Sequence, residues 1–302
     1  MSLKLKTYLM ATRPNSLWIT FVPVFIGTSM AIGDGIAHLP TAFVALCGGI
    51  LLHIGCNLTN DYGDLIKGAD QEGRIDPMRE IPVGFLSARS MKIFIIGVYV
   101  CIIPICVTLM QRGGWPVLWI AVFAILAGIF YTVGKYPLGY QGWGDLMVFV
   151  FFGPVAVAGT YYVQSLEFNW ATVVAGFAPG LFAVSVLTIN NIRDLESDRS
   201  VKKMTLAVRF GKTFAQKEYF FSIILATLTP IFVYFITKNY FLSLFAVLSL
   251  LLTFKPMKIV MSSSDESAYN KAIEITVKVL IIYGIIFSLG WNGSWIIEKI
   301  FF

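Results

Sequence analysis

Two stretches of the chain bring together side chains able to grip a polyphosphate through a divalent cation. The first runs Asn57-Leu-Thr-Asn60-Asp61-Tyr-Gly-Asp64 and continues into Asp70, Glu72, Asp76 and Glu80; the second runs Asn190-Asn191-Ile-Arg-Asp194-Leu-Glu-Ser-Asp198. Together they hold nine of the seventeen carboxylates. Neither contains Cys or His, so the donors are hard oxygens, which suit Mg²⁺ (with Mn²⁺ as its nearest substitute) better than zinc. Mg²⁺ takes one or two carboxylates and completes its octahedron with water and substrate phosphate oxygens rather than a closed protein cage. Basic residues stand beside both stretches: Arg74 and Arg79 follow the first, Lys203 follows the second. Lys135 ends Tyr131-Thr-Val-Gly-Lys135 in a segment rich in turn residues, which can bring an ammonium and a phenol over one pocket.

Such groups need elements to hold them, and the composition says which. Of 302 residues, 57 % are apolar and 13 % charged, more apolar surface than a soluble interior can hide. Cutting the chain at every Asp, Glu, Lys and Arg leaves nine long charge-free runs of 16 to 26 residues. About 20 apolar residues cross the hydrocarbon as a helix. The runs are continuously apolar, unlike the weakly alternating strands of a membrane barrel. The expectation is an all-α integral membrane protein, one polytopic domain over 1–302. Its nine spans fall near 15–33, 40–60, 93–111, 115–134, 146–166, 170–192, 219–237, 239–254 and 277–296; eight spans is the fallback, because the run at 239–254 is short.

Both acidic stretches start where an apolar run stops. If the helices continue past that boundary, Asn57, Asn60, Asp61 and Asp64 share one face, and Asn191, Asp194 and Asp198 share another. An aspartate deeper in the bilayer would cost about 2.5–3.5 kcal/mol, so a compensating cation is expected.

A net charge of +6 is compatible with nucleic-acid binding, but the basic residues lie in loops between spans. Counting alternate loops puts nineteen of the 23 on one side and Arg112, Lys238 and Lys299 on the other, with Lys278 left near the start of the ninth run. Positive flanks stay inside. This predicts a multi-pass protein of the cytoplasmic (inner) membrane with its N-terminus and active site cytoplasmic. The first run carries Pro14 and Pro23 and ends without a small-residue cleavage site, so it reads as a retained helix. Cys47, Cys56, Cys101 and Cys106 all fall within spans and read as packing residues.

The pattern Asn60-Asp61-x-x-Asp64, the pair Asp194-x-x-x-Asp198, Tyr131-x-x-x-Lys135 and Arg13-Pro14 resemble the UbiA superfamily of membrane-embedded aromatic prenyltransferases. The third acid of the first motif arrives at Asp70, with Gly68 at the usual position. That late acid, Tyr136-Pro-Leu-Gly-Tyr140, Gly159-Thr-Tyr-Tyr-Val-Gln164 and Thr205-Leu-Ala-Val-Arg209 are similar to the branch acting on 1,4-dihydroxy-2-naphthoate. The resemblance implies a nine-helix bundle with a cavity open toward the cytoplasm and sideways to lipid. It also implies Mg-dependent transfer of a polyprenyl group from polyprenyl diphosphate with decarboxylation of the acceptor, giving demethylmenaquinone.

On this reading Asp61, Asp64, Asp70, Asp194 and Asp198 hold metal, while Asn57, Asn60, Asn190, Asn191, Arg74, Arg79, Lys135 and Lys203 bind diphosphate. Arg13 and Tyr131 meet the acceptor, and Asp64, Asp194, Lys135 and Tyr131 carry the chemistry. The partners are the two substrates and the bilayer, with no nucleic acid and no obligate protein partner. Two alternatives stay open: another aromatic acceptor such as 4-hydroxybenzoate, and, from a different class, an ion-coupled secondary transporter with paired acids as its ion site.

Overall fold

The computed structural model describes residues 9–66 and 87–301, without the side chains of Asp64 and 297–301. Among the described residues, nine helical stretches are long and apolar enough to cross a membrane. They run back and forth, joined alternately at two ends. The end that carries Arg13, Asn60, Thr132 and Asp194 is called the near end, the other the far end.

A 3₁₀ turn, Pro14–Leu17, leads into α1 (Trp18–Gly33). α2 (Leu39–Ile66) returns to the near end, and α3 (Ala88–Gly113) and α4 (Trp115–Thr132) form the next antiparallel pair. The fifth span is two helices, α5 (Gly144–Phe152) and α6 (Pro154–Ser165), and so is the sixth, α7 (Trp170–Ala175) and α8 (Phe177–Arg193). Short helices α9 (Leu195–Ser200) and α10 (Leu206–Phe210) cross the near end before α11 (Lys212–Thr237). A 3₁₀ segment, Phe241–Ser249, continues as α12 (Leu250–Ser262), and α13 (Glu266–Phe301) closes the bundle.

The spans expected at 146–166 and 170–192 are therefore each broken, and the reason is steric. The breaks at Gly153 and Gly176 lie backbone against backbone: a Cβ on Gly176 would sit 2.7 Å from the Pro154 main chain, and one on Gly153 would sit 2.6 Å from the Gly176 carbonyl. Two irregular backbones can meet in a membrane only where protein buries them. The seventh and ninth spans begin earlier than the charge-free runs, at Lys212 and Glu266. Charges interrupt the runs, most of them on exposed faces (Lys217, Lys271, Glu274) and one, Glu218, half-buried, yet Ala272, Ile273, Thr276, Leu280, Tyr283, Phe287 and Trp291 are buried at helical spacing.

The tightest core lies where α8, α11 and α13 meet, with Phe182, Tyr219, Ile223, Tyr283 and Phe287 fully buried. Its small hydroxyls bond to their own helix, Ser185 to the Leu181 carbonyl at 2.9 Å, Thr188 to Val184 at 2.9 Å and Thr276 to Ala272 at 2.8 Å, while the Tyr219 hydroxyl pairs with Thr276 across helices at 3.1 Å. That satisfies polar side chains where no water reaches. The opposite surface is apolar, with Phe43, Ile93, Phe123, Leu251 and Leu289 exposed to what in a membrane is lipid.

Candidate active site

α1–α6, α8 and α13 surround one cavity of about 380 Å³. Its walls are apolar over most of their length, with Ile19, Leu52, Ile102, Val117, Ile120 and Phe151 among them. Its near end is polar: Arg13, Ser16, His53, Asn57, Asn60, Tyr131 and Asn190 line it. This matches the usual ligand site, concave and mostly apolar with a few convergent polar groups.

The helix that opens the first acidic stretch continues past the apolar boundary as expected, and the part of the stretch beyond Ile66 lies outside the described residues. α2 continues without a break to Ile66, so Asn57, Asn60, Asp61 and Asp64 lie on one helical stripe. Arg13 sits in a left-handed conformation (φ 51°) just before Pro14, which turns the chain so that its guanidinium reaches the Asp61 carboxylate. Among the described residues the buried Arg13 Nε–H finds no acceptor. The Thr132 hydroxyl donates to Asn60, tying the end of α4 to α2. The Asn57 amide donates to Ser16 Oγ at 3.4 Å, and Ser16 in turn donates to the Arg13 carbonyl at 2.8 Å.

The second acidic stretch departs from expectation. Asn191, Asp194 and Asp198 do not share one continuous helix: α8 ends at Arg193, Asp194 departs from helical geometry (φ −93°, ψ 11°), and α9 starts at Leu195. Arg193 forks onto its own neighbour, Nε to Asp194 Oδ1 at 2.9 Å and Nη2 to Oδ2 at 3.1 Å, while Nη1 donates to Asn270 at 2.6 Å. This bidentate grip, with the Arg193 side chain 3 % exposed, holds the corner. Asp198 is 1 % exposed, its Oδ1 lies 3.4 Å from Lys203 Nζ, and its carbonyl accepts from the Lys203 amide at 2.9 Å. Lys203 also stands 5.8 Å from the Tyr140 ring centre, and the Met204 amide donates to the Tyr140 carbonyl at 3.1 Å, so the loops after α4 and α9 are joined.

The two asparagine-led stretches thus meet at one cavity mouth through Asn57, Asn60 and Asn190, while Asn191 is buried beside it. Their carboxylates do not gather into a three-acid cluster among the described residues. Each that is described has a cation beside it instead: Arg13 on Asp61, Arg193 on Asp194, Lys203 on Asp198. Tyr131 lines the cavity, held over Gly139 and Gly144, where an added Cβ would come within 2.8 Å and 2.7 Å of its ring and hydroxyl. Lys135 is exposed and stands 5.4 Å from the Tyr136 ring centre, apart from the cavity lining. Asp70, Arg74 and Arg79 lie outside the described residues.

Two participants escape the motif reading. Arg193 counts as a topology charge until the fork on Asp194 is seen. His53 lies on the Asn57 stripe one turn earlier, a spacing that could have flagged it. Its Nδ1 lies 2.7 Å from the Thr20 hydroxyl, its Nε2 3.5 Å from Ser16, and its ring packs edge-on against Phe152.

A bundle of membrane helices around one deep apolar chamber with a polar mouth is the architecture of a membrane-embedded enzyme for lipid-tailed substrates. The chain belongs to the UbiA prenyltransferase family, whose model matches residues 20–294. It is 35 % identical over 295 residues to the 1,4-dihydroxy-2-naphthoate octaprenyltransferase of Escherichia coli K12, covering 94 % of each chain. It is 39 % identical over 202 residues to the enzyme of that name in Mycobacterium tuberculosis H37Rv, covering 66 % of this chain and 68 % of that one. The fold matches a UbiA homologue from Archaeoglobus fulgidus solved with GPP and Mg²⁺, with a TM-score of 0.67 at 16 % identity over 93 % of this chain and 99 % of that one. Family membership makes the chain a prenyltransferase, and the transporter alternative falls away.

Proposed function

We propose that this chain transfers a polyprenyl group from a polyprenyl diphosphate to 1,4-dihydroxy-2-naphthoate, releasing carbon dioxide and pyrophosphate and leaving the reduced form of demethylmenaquinone. The observation that carries this reading is the cavity itself: an apolar chamber for a tail, with Arg13, Asn57, Asn60, Tyr131 and Asn190 at its mouth. The relatives named for that reaction supply the acceptor.

The donors at the mouth fit Mg²⁺ in kind, being carboxylate and amide oxygens, and the ion does not need three carboxylates in advance because phosphate oxygens and water complete its shell. Asp61, Asp64, Asp194 and Asp198, with Asp70, would hold it. When bound, it supplies charge neutralisation for the leaving diphosphate. The protein's own part is to exchange partners. Arg13 and Lys203, which neutralise Asp61 and Asp198 here, are the cations nearest to an incoming diphosphate or acceptor carboxylate. Asn57, Asn60, Asn190 and Asn191 orient phosphate oxygens, assisted by Lys135, Arg74 and Arg79.

As the allylic carbon–oxygen bond breaks, its electron pair leaves with pyrophosphate. A ring carbon of the acceptor donates a pair to the allylic carbon, and loss of carbon dioxide returns a pair to the ring. Arg13 holds the acceptor carboxylate through its guanidinium, part of which is exposed at the mouth, and Tyr131 presents its phenol to the acceptor ring. The apolar walls exclude water from the allylic cation. The site faces the cytoplasm, in the cytoplasmic membrane, in keeping with the basic residues of the near-end loops.

The test is turnover in membranes supplied with polyprenyl diphosphate, dihydroxynaphthoate and Mg²⁺, with the product identified by mass and protein levels measured. Asp64→Ala and Asp194→Ala should each lower kcat by about a hundredfold or more, the scale of losing one preorganised electrostatic group. Retained turnover in both removes the acidic site from the mechanism. A product built on 4-hydroxybenzoate instead reassigns the acceptor.

A further inference from the structure

The cavity is closed at its far end by a latch that the chemistry at the mouth does not require. Arg112, at the end of α3, donates from Nε to the Val163 carbonyl at 2.7 Å and from Nη2 to the Gln164 carbonyl at 2.8 Å. These are among the last carbonyls of α6, which have no partner within the helix. In return the Tyr162 hydroxyl donates to the Gly113 carbonyl at 3.1 Å. Tyr162 and Val163 line the cavity, as do Leu109 and Val117 on the opposite wall. The α3–α4 pair and α6 are thus stitched together where the chamber stops. Counted along α4 from Tyr131 at the mouth to Val117 at this floor, the chamber is about 21 Å deep at 1.5 Å per residue.

We infer that this Arg112–Tyr162 latch is the floor of the tail chamber and sets how much of a polyprenyl chain the enzyme holds before the chain must turn out toward lipid. The inference rests on the prenyl-transfer reading and adds to it a determinant of tail length. The latch places two guanidinium N–H groups on two carbonyls and one hydroxyl on a third, while Arg112 stays half-buried at the end of the bundle. Gly159 lies one turn inside the floor on α6 and lines the same cavity, and a Cβ added there meets nothing within 4 Å. It leaves the wall open where a larger side chain would raise the floor without displacing backbone.

The experiment measures kcat/KM for geranyl, geranylgeranyl, octaprenyl and decaprenyl diphosphates with purified protein in lipid nanodiscs. It compares wild type, the series Gly159→Ala, Gly159→Leu and Gly159→Phe, and Tyr162→Ala, which removes the phenol from the floor together with its bond to Gly113 while leaving the two Arg112 bonds in place. The octaprenyl to geranyl ratio should fall stepwise along the Gly159 series, by about tenfold or more at Phe, as burial of several methylenes is lost. Tyr162→Ala should move the optimum toward the longer tails. Geranyl turnover reports in every variant that the protein is folded. Losses equal at all lengths, or a ratio that does not move in either set, overturn the floor while leaving prenyl transfer standing. A wild type inert with every tail overturns the prenyl-transfer reading and the floor with it.

Discussion

Arg13 and Asp61 form a contact that supports the fold and, on the proposed reading, also serves the reaction. Arg13 precedes a proline, where the helical region is already disfavoured, and adopts a left-handed conformation that costs a non-glycine residue about 1 kcal/mol or more. The structure keeps this strain because it aims the guanidinium at Asp61, whose side chain is 10 % exposed against 19 % for Arg13. Removing one partner of a fully buried pair costs about 3–5 kcal/mol. With this residual exposure, Arg13→Ala should cost on the order of 2 kcal/mol, read as a lower thermal midpoint in detergent. The exchanged double variant Arg13→Asp/Asp61→Arg should regain part of that stability and no turnover, because the charges then sit on the wrong sides of the mouth. A double variant that recovers both would reduce the pair to a strut.

At the same scale, the first acidic motif was legible because a single period, 3.6 residues, governs everything from His53 to Asp64. The second was legible only as a list of residues. The helix is interrupted at Asp194, where Arg193 folds back onto the carboxylate, and a bidentate contact between neighbours leaves no trace in spacing.

Among the elements, hydropathy located all nine spans and misjudged their joints. A charge-free run records how long a segment is apolar and says nothing of whether its backbone hydrogen bonds continue through it. Gly153 and Gly176 interrupt two runs for a reason that lies in the neighbouring span: each opens space for the other's main chain. The starts of α11 and α13 were hidden for the opposite reason, since Lys217, Glu218, Lys271 and Glu274 end an apolar run but not a helix. The crossing of the two broken spans predicts a sharp response. Gly176→Ala puts a Cβ 2.7 Å from the Pro154 backbone and should cost about 1–3 kcal/mol, the usual range for overpacking. Gly159→Ala, on the same helix pair but facing open space, should leave the melting temperature near that of wild type. Equal melting temperatures for the two variants would mean that the breaks are not in backbone contact.

On the scale of the whole molecule, the near end gathers the polar mouth of the cavity, the ion pairs and nearly all the loop cations, whereas the far end is held by neutral hydrogen bonds around single charges. Asp34 there accepts from the Tyr161 and Tyr240 hydroxyls, each at 2.7 Å, and Tyr240 stacks on Trp291 at 3.6 Å. Loops rich in Lys and Arg are retained on the cytoplasmic side because moving them across the membrane potential is costly. The same cations are those a diphosphate would meet, so topology and catalysis make one demand on the near end. Orientation can therefore test the functional reading from outside the site. In a variant whose four cysteines are replaced, Ser200→Cys at the near end and Phe168→Cys at the far end are both exposed positions. A membrane-impermeant maleimide should label Ser200→Cys only in inverted vesicles and Phe168→Cys only in right-side-out ones. The reverse pattern would put the mouth on the side away from a cytoplasmic supply of anionic substrates, and the proposed reaction would lose its route in.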